Sequence, residues 1–349
     1  MKLLLLIVKI ALIPFSLLYA LVTEVRNFLF DWHLLPVFRS KIPVVSVGNI
    51  RVGGTGKTPF TIWLAQRLSE HSVRVAIVSR GYRRKSKGLK LVAEAGKIVS
   101  DVQDAGDEPL LMAHKVPQAL IIVSEKRKKA LHHIELTEAA DVVILDDAFQ
   151  HRWVARNADI VLLHSAGFWD NWPLPTGRLR ETIWQLKRAT YLLRRPDKAG
   201  GKPITFVPQH RQFEIEFVPG KIVNEYFEPL GSLEEWRGKP AIAFAGIARP
   251  QAFFSMLKRK GIKLLASERF TDHYRYKESD LQRLLHLCRA TEARWLFCTE
   301  KDLVKIREFL PVLEAEIKIA GVHLVALSLE VRLQDEQNFL NDLVKRLTI

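Results

Sequence analysis

The chain has 349 residues, 48% hydrophobic and 26% charged, which is enough for two cored domains and excludes a disordered polymer. Two cysteines, Cys288 and Cys298, lie in apolar segments at no metal-ligand spacing, so a disulfide framework and a zinc site are both unsupported and a reducing compartment fits. A net charge of +15 points to a polyanionic partner without choosing among nucleic acid, an anionic membrane surface and phosphorylated substrates.

Leu3 to Val22 is almost wholly apolar and, at about 1.5 Å per residue, just long enough to cross a bilayer core. Lys2, Lys9, Ser16 and Thr23 recur every seven residues and drift by about 20° per heptad, so on a helix they form one narrow polar stripe. The spacing predicts a helix lying in the membrane interface with that stripe wet, a tilted span being the alternative. Lys9 interrupts any signal-peptide core, and no small-residue cleavage site follows. Phe28, Phe30, Trp32 and His33 read as interfacial aromatics beside Arg26.

Next comes the stretch around which the chain is arranged, Pro43 to Thr58. A β-branched run (Val44, Val45, Val47) predicts a buried strand, and a glycine-rich turn follows. Lys57-Thr58 then opens a segment with helical spacing at Phe60, Leu64 and Leu68. Glycines at 53, 54 and 56 let successive backbone N–H groups wrap phosphate oxygens at the positive end of a helix. The nucleotide-binding set is therefore Arg51, Val52, Gly53, Gly54, Thr55, Gly56, Lys57 and Thr58, with Lys57 on the β- and γ-phosphates and the Thr58 hydroxyl toward magnesium. Arg51 stands where the usual pattern has its first glycine. Such a loop must see cytosolic ATP, which puts the body of the protein on the cytoplasmic side.

Short apolar runs at Val73–Val78, Ala119–Val123, Val142–Leu145, Ile160–Leu163 and Tyr191–Leu193 alternate with helices such as Thr58–Leu68 and Lys126–Leu136, predicting a parallel α/β domain. From Pro203 to Glu228 strand-like runs (Ile204–Val207, Phe213–Phe217, Ile222–Phe227) follow without a helix, an antiparallel connector. A second α/β pattern has strands at Ala241–Ala245, Ile262–Ala266, Trp295–Cys298 and Val322–Leu327 and helices at Gln251–Lys260, Ser279–Arg289 and Glu336–Leu347, with Ser279 and Gln282 as a capping box. The expected division is 1–35 membrane helix, 36–200 phosphate-loop domain, 201–232 two-stranded linker and 233–349 second α/β domain.

Ligands of open α/β sheets sit at the carboxyl ends of strands. There Val142-Val-Ile-Leu-Asp-Asp147 delivers two carboxylates, and Asp146 or Asp147 is the magnesium-side acid of a phosphate-loop protein. Asp107, in Gly106-Asp-Glu-Pro109, begins a helix and is either a first-turn acid or a carboxylate for an attacking hydroxyl. The basic runs Ser79–Lys90 and Lys126–Lys129 are solvated faces or contacts for anionic headgroups or a phosphorylated substrate. Trp169 to Glu181 is a long aromatic and proline-rich loop of the kind that carries function. His273, packed among aromatics in Phe270–Tyr276, is structural or catalytic.

These segments, with Ser79-Arg-Gly-Tyr82, Asp146-Asp-Ala-Phe-Gln-His-Arg152, Gly177-Arg-Leu-Arg-Glu181, Ala245-Gly-Ile-Ala-Arg-Pro250, Asp272-His-Tyr274 and Thr299-Glu-Lys-Asp302, resemble the tetraacyldisaccharide 4′-kinases of lipid A biosynthesis from the N-terminal helix to Asp302. The resemblance implies two α/β/α domains, the first a parallel phosphate-loop sheet, joined by a two-stranded antiparallel linker, with an N-terminal helix on the cytoplasmic leaflet of the inner membrane. It implies ATP and Mg2+ as cosubstrates and γ-phosphate transfer to the 4′-hydroxyl of tetraacyldisaccharide 1-phosphate, giving lipid IVA. By the same likeness Asp107 is the catalytic base, paired with His273 from the other domain. Asp146, Asp147 and Thr58 then stand near the metal, and Glu108, Gln150, His151, Arg80, Arg178, Arg180 and Arg249 on the substrate side. That family also lacks the first loop glycine.

The alternative is a membrane-associated phosphate-loop ATPase or GTPase with a switch role. Against a partition-type ATPase, Val52 occupies the place of its second lysine; against a GTPase, Asp147-Ala-Phe-Gln150 lacks the switch glycine and Thr299-Glu-Lys-Asp302 sets its lysine one place late. Nothing resembles a nucleic-acid module, so no nucleic acid is expected as partner.

Overall fold

A computed structural model describes residues 2–163, 168–196 and 204–347. The expected boundary at 200 and 201 and the start of the connector at Pro203 lie outside the described residues, as do the side chains of Lys2 and Trp169. The strands are β1 Val44–Gly48, β2 Val75–Ser79, β3 Lys90–Glu94, β4 Lys97–Ile98, β5 Leu120–Val123, β6 Val142–Asp146, β7 Ala158–Leu163, β8 Tyr191–Arg194, β9 Gln212–Val223, β10 Pro229–Ser232, β11 Pro240–Ala245, β12 Lys263–Arg269, β13 Trp295–Thr299 and β14 His323–Leu333. The helices are α1 Lys2–Ala11, α2 Ile13–Asp31, α3 Lys57–Glu70, α4 Val102–Ala105, α5 Asp107–Lys115, α6 Arg127–Thr137, α7 Pro250–Arg259, α8 Glu278–Ala290, α9 Glu300–Ile306, α10 Leu310–Ala320 and α11 Glu336–Leu347.

The first lobe has the order β8-β7-β1-β6-β2-β5, all parallel, extended by the antiparallel pair β3 and β4. Strand β1 lies mid-sheet and all five of its residues are buried, which is why valines stand on both sides of Ser46 and not at alternate positions alone. The second lobe has the order β12-β11-β13-β14, again parallel. Between them β9 pairs with β8 over Gln212–Glu214 and then with β14, antiparallel, from Ile215 to Val223, so one sheet runs through both lobes.

The connector differs from expectation. Phe213–Phe217 and Ile222–Phe227 are not two strands; β9 spans both through Val223, and its hairpin partner β10 begins at Pro229. Ile204–Val207 is a turn, with Val207 buried beside Ile50, Phe149 and Leu192 and its carbonyl and that of Ile204 each bonded by Gln212 Nε2 at 2.7 Å. An apolar run buried as a turn has the same composition as a strand. The cap lies two residues before the expected Ser279: Lys277 is the N-cap, α8 starts at Glu278, and Lys277 N donates to Asp280 Oδ2 at 2.9 Å. Helix α11, expected with the second domain, returns to the first lobe, where Phe339, Leu340, Leu343 and Leu347 join the core of Phe60, Trp63 and Tyr191.

The N-terminal helix is broken at Leu12, ahead of Pro14, into α1 and α2. From Ser16 onward its polar stripe is dry, contrary to expectation. Ser16, Thr23 and Asn27 are buried against the segment Thr176–Gln185, whereas Leu17, Leu18, Leu21, Val22, Val25 and Phe28 face outward at 50–60% exposure.

Candidate active site

Strand β1 ends at Gly48, where a side chain would come within 2.6 Å of Phe149 Cβ. The loop beyond it turns through Gly53 and Gly56 in the left-handed region, at φ +110° and +91°, and a Cβ at Gly56 would strike the Phe217 ring at 2.2 Å. Asn49 Nδ2 donates to Thr55 Oγ1 at 2.7 Å and braces the turn from inside. From outside it is braced by Arg178–Arg180: Val52 N donates to Arg178 O at 2.9 Å and Arg180 N to Ile50 O at 2.8 Å. Arg51 is buried and bonds Asn171 through Nη2, so the residue in the first-glycine place is part of the scaffold. Lys57 and Thr58 open α3.

Asp146 closes β6 and is buried, its oxygens accepting from Ser79 Oγ at 3.1 Å and Thr61 Oγ1 at 3.3 Å. Burial, with Glu108 and Asp147 nearby, pushes its carboxyl up to about 7 against the pull of Lys57. Asp147 follows at φ +46° and takes Arg180 Nη1 at 2.8 Å and Lys57 Nζ at 3.5 Å. Burial would raise its carboxyl, but the two cations outweigh that and hold it below the usual range. Crowded carboxylates with the Thr58 hydroxyl are oxygen donors suited to a hard divalent ion, which would relieve the repulsion at Asp146.

Asp107 opens α5 from the first lobe, and its two carboxylate oxygens have different partners. Its Oδ1 accepts the Glu108 N–H at 3.0 Å, and its Oδ2 lies 2.8 Å from His273 Nδ1 of the second lobe. Burial opposes ionisation of Asp107, yet the His273 hydrogen bond and Lys301 keep its carboxyl below the ordinary value. The same hydrogen bond raises the His273 imidazole despite burial. His273 sits at φ +56°, with its N–H on Gly246 O at 3.2 Å and Tyr82 edge-on at 5.3 Å between ring centres.

The substrate-side candidates scatter around this centre. Arg178 and Arg249, one from each lobe, line a cleft of about 210 Å³ with Val52, Gly53 and Gly54. Arg80 is exposed just past the end of β2. Gln150 Nε2 donates to Asn49 O at 2.9 Å, which fixes the start of the phosphate loop. His151 is half-buried, and burial with Arg127, Arg156 and Arg80 pushes it down to about 4, so it is neutral near pH 7. Glu108 pairs with Lys301 of the second lobe.

Several residues that matter here were not singled out by sequence. Arg127, in a run expected to be a solvated face or a headgroup contact, is buried beneath the site with Nη2 3.4 Å from Asp146 O. Glu181, fully buried, accepts from Arg26 at 2.6 Å, Asn27 at 3.1 Å and Arg188 at 2.5 Å, tying α2 to the loop that braces the nucleotide turn. Its place two residues after Leu179 in the aromatic loop was visible, but its partners on α2 are 154 and 155 positions away.

A phosphate loop on a parallel sheet, with paired acids at the neighbouring strand end and a second lobe supplying a histidine, defines a phosphate-loop phosphotransferase class. Residues 8–348 match the family model described as Tetraacyldisaccharide-1-P 4'-kinase, and the chain belongs to that family. It is 36% identical over 317 residues to the tetraacyldisaccharide 4'-kinase of Pelodictyon phaeoclathratiforme, covering 85% of this chain and 87% of that one. It is 36% identical over 312 residues to the enzyme of that name from Aquifex aeolicus, covering 88% and 93%. Its fold matches the crystal structure of the "apo" form of LpxK from Aquifex aeolicus in complex with ATP, with TM-score 0.81 and 33% identity over 98% of this chain and 100% of that one.

Proposed function

We propose that the chain transfers the γ-phosphate of ATP to the 4′-hydroxyl of tetraacyldisaccharide 1-phosphate, giving lipid IVA, at the cytoplasmic face of the inner membrane. Family membership over nearly the whole chain supports the reaction. One observation carries the lipid reading beyond the name. The segment Thr176–Glu181 bonds the phosphate loop on one side and α2 on the other, through Thr176 N to Ser16 Oγ at 2.9 Å and Tyr19 OH to Arg180 O at 2.9 Å. Helix α2, apolar on its outward face, is thus tethered to the segment that braces the nucleotide turn, as suits an acceptor with four acyl chains.

In this reading Lys57 and Arg180 meet the phosphate charge, and Thr58, Asp146 and Asp147 would hold magnesium, which when bound neutralises charge on the β- and γ-phosphates. Among the described residues no three His, Cys, Asp or Glu side chains converge as a metal site, so such an ion would draw other ligands from phosphate and water. Asp107 accepts the hydrogen of the attacking hydroxyl. Because its pKa is held low, it acts mainly by orienting that hydroxyl, which suits a loose transition state. His273 holds the carboxylate in place across the lobe boundary. The remaining candidates, Arg80, Gln150, His151, Arg178 and Arg249 with Glu108, are proposed to face the disaccharide and its 1-phosphate. The working units are 1–35, 36–200, 201–232 as hinge and 233–349, the last helix crossing back to the first lobe.

The test is where the phosphate goes. Labelled ATP with magnesium in mixed detergent–lipid micelles is expected to move label onto the tetraacyl disaccharide, with little inorganic phosphate released when lipid is absent. Label found solely as inorganic phosphate, at a rate indifferent to lipid, would overturn the reading in favour of an NTPase.

A further inference from the structure

The first turn of α9 carries three charged residues in a row, two of them tied to α5 and the third to the second lobe. Glu300, buried, takes Lys115 Nζ at 2.7 Å and the backbone N–H of Leu329 at 3.3 Å. Lys301 donates to Glu108 Oε1. Asp302 is fully buried and accepts from Gly246 N at 3.1 Å, Tyr276 OH at 3.0 Å, Thr299 Oγ1 at 2.7 Å and Lys305 Nζ at 2.8 Å.

The partners of the first two residues share one helix. Glu108 and Lys115 lie seven residues apart on α5, hence about two turns apart on one face, and α9 grips both ends of that face. Asp107 is the neighbour of Glu108. On the other flank Asp302 fixes Gly246, whose carbonyl receives the His273 N–H at 3.2 Å. A single helical turn thus joins the helix that presents Asp107 to the loop that presents His273. Partly buried ion pairs add little net stability over apolar packing, so their use in register here points to alignment.

We propose that Glu300, Lys301 and Asp302 are positioning residues for phosphoryl transfer: they set the register of α5 against the second lobe and so keep the Asp107 carboxylate and the His273 ring in hydrogen-bond contact. The proposal rests on reading Asp107 and His273 as the pair at the reacting hydroxyl. It also accounts for Thr299-Glu-Lys-Asp302, which looked like a displaced guanine-binding motif. Thr299 caps α9, with Asp302 N donating to its Oγ1 at 3.2 Å, and the next three residues form the alignment contacts.

The test uses the full-length protein in mixed micelles with Lys301→Met, Lys115→Glu, Glu300→Lys and the last two combined. A misalignment of about 1 Å can cost roughly a hundredfold, so Lys301→Met is expected to lower kcat at least about tenfold with the KM for ATP within about twofold. The exchanged pair is expected to recover most of what each single change loses. The His273 titration, followed by imidazole NMR, separates alignment from charge. His273 faces Asp107, Asp272, Lys301 and the Tyr82 ring, and Lys301 itself holds the imidazole down. Losing a cation alone would therefore raise the His273 value, whereas losing the Asp107 contact lowers it toward 6.5. A fall with reduced kcat supports the proposal; a rise with unchanged kcat, or no recovery in the exchanged pair, overturns it. Asp107→Asn distinguishes the two layers. If Asp107→Asn turns over normally, the reacting-pair reading fails, and if it is inactive while Lys301→Met is as active as the parent, the positioning proposal alone falls.

Discussion

Helices α2 and α11 dock on the same lobe from opposite ends of the chain, and they do so with opposite polarity. Helix α11 buries Phe339, Leu340, Leu343 and Leu347 and turns its charged side outward, as a helix facing water does. Helix α2 buries Ser16, Thr23 and Asn27, uses Arg26, Asn27 and Glu24 as its attachments, and exposes Leu18 and Leu21 at 59% and 60%. The same rule, that a helix matches each face to its surroundings, gives both results under the proposal that α2 faces acyl chains. What holds α2 to the body is hydrogen bonding and charge, and what it offers outward is apolar area.

That contrast can be broken most severely by removing α2. Deleting residues before Trp32 strips Arg26 and Asn27 from buried Glu181, which keeps Arg188, and removing partners from a buried acceptor costs about 1–3 kcal/mol. Thermal melting is expected to show a strongly destabilised first lobe rather than an intact enzyme merely released from membranes; an unchanged Tm would mean that α2 is a detachable anchor. Phe339→Ala should cost about 3–5 kcal/mol of stability, read by denaturant unfolding, and leave flotation with lipid vesicles untouched. The reverse is expected of Leu18→Asp with Leu21→Asp. Each leucine loses about 1.5–3 kcal/mol of apolar burial in lipid, so vesicle partition should fall by tenfold or more, while stability stays within ~0.5 kcal/mol. Equal effects of the two changes on Tm would erase the distinction between the helices.

Local features were legible in the sequence because their causes are local. The strand, glycine turn and helix of 43–58 are set by neighbours within a few positions, and the two carboxylates at 146 and 147 follow directly from the run that precedes them. The heptad of Ser16 and Thr23 was equally legible as a stripe, but periodicity states that two faces differ and not which one touches protein. The partners of that stripe are a loop some 160 residues on. Long-range pairing hid the rest: β14 extends past Leu327 because β9 gives it an antiparallel partner, and α11 crosses back because Tyr191 and Phe60 need its aromatic. The approach of Asp107 to His273, 166 residues apart, came into view through family resemblance alone.

Asp107 is proposed to serve the acceptor hydroxyl and not simply to be part of a helix start. Single-turnover phosphoryl transfer by Asp107→Asn, measured beside its melting temperature, separates the two, because asparagine keeps the oxygen that receives Glu108 N–H and loses the charge. The account predicts a protein that melts near the parent temperature and transfers phosphate at least about a hundredfold more slowly, the usual scale for losing a general base. Near-normal transfer with a Tm lowered by a first-turn defect of about 1 kcal/mol would contradict it.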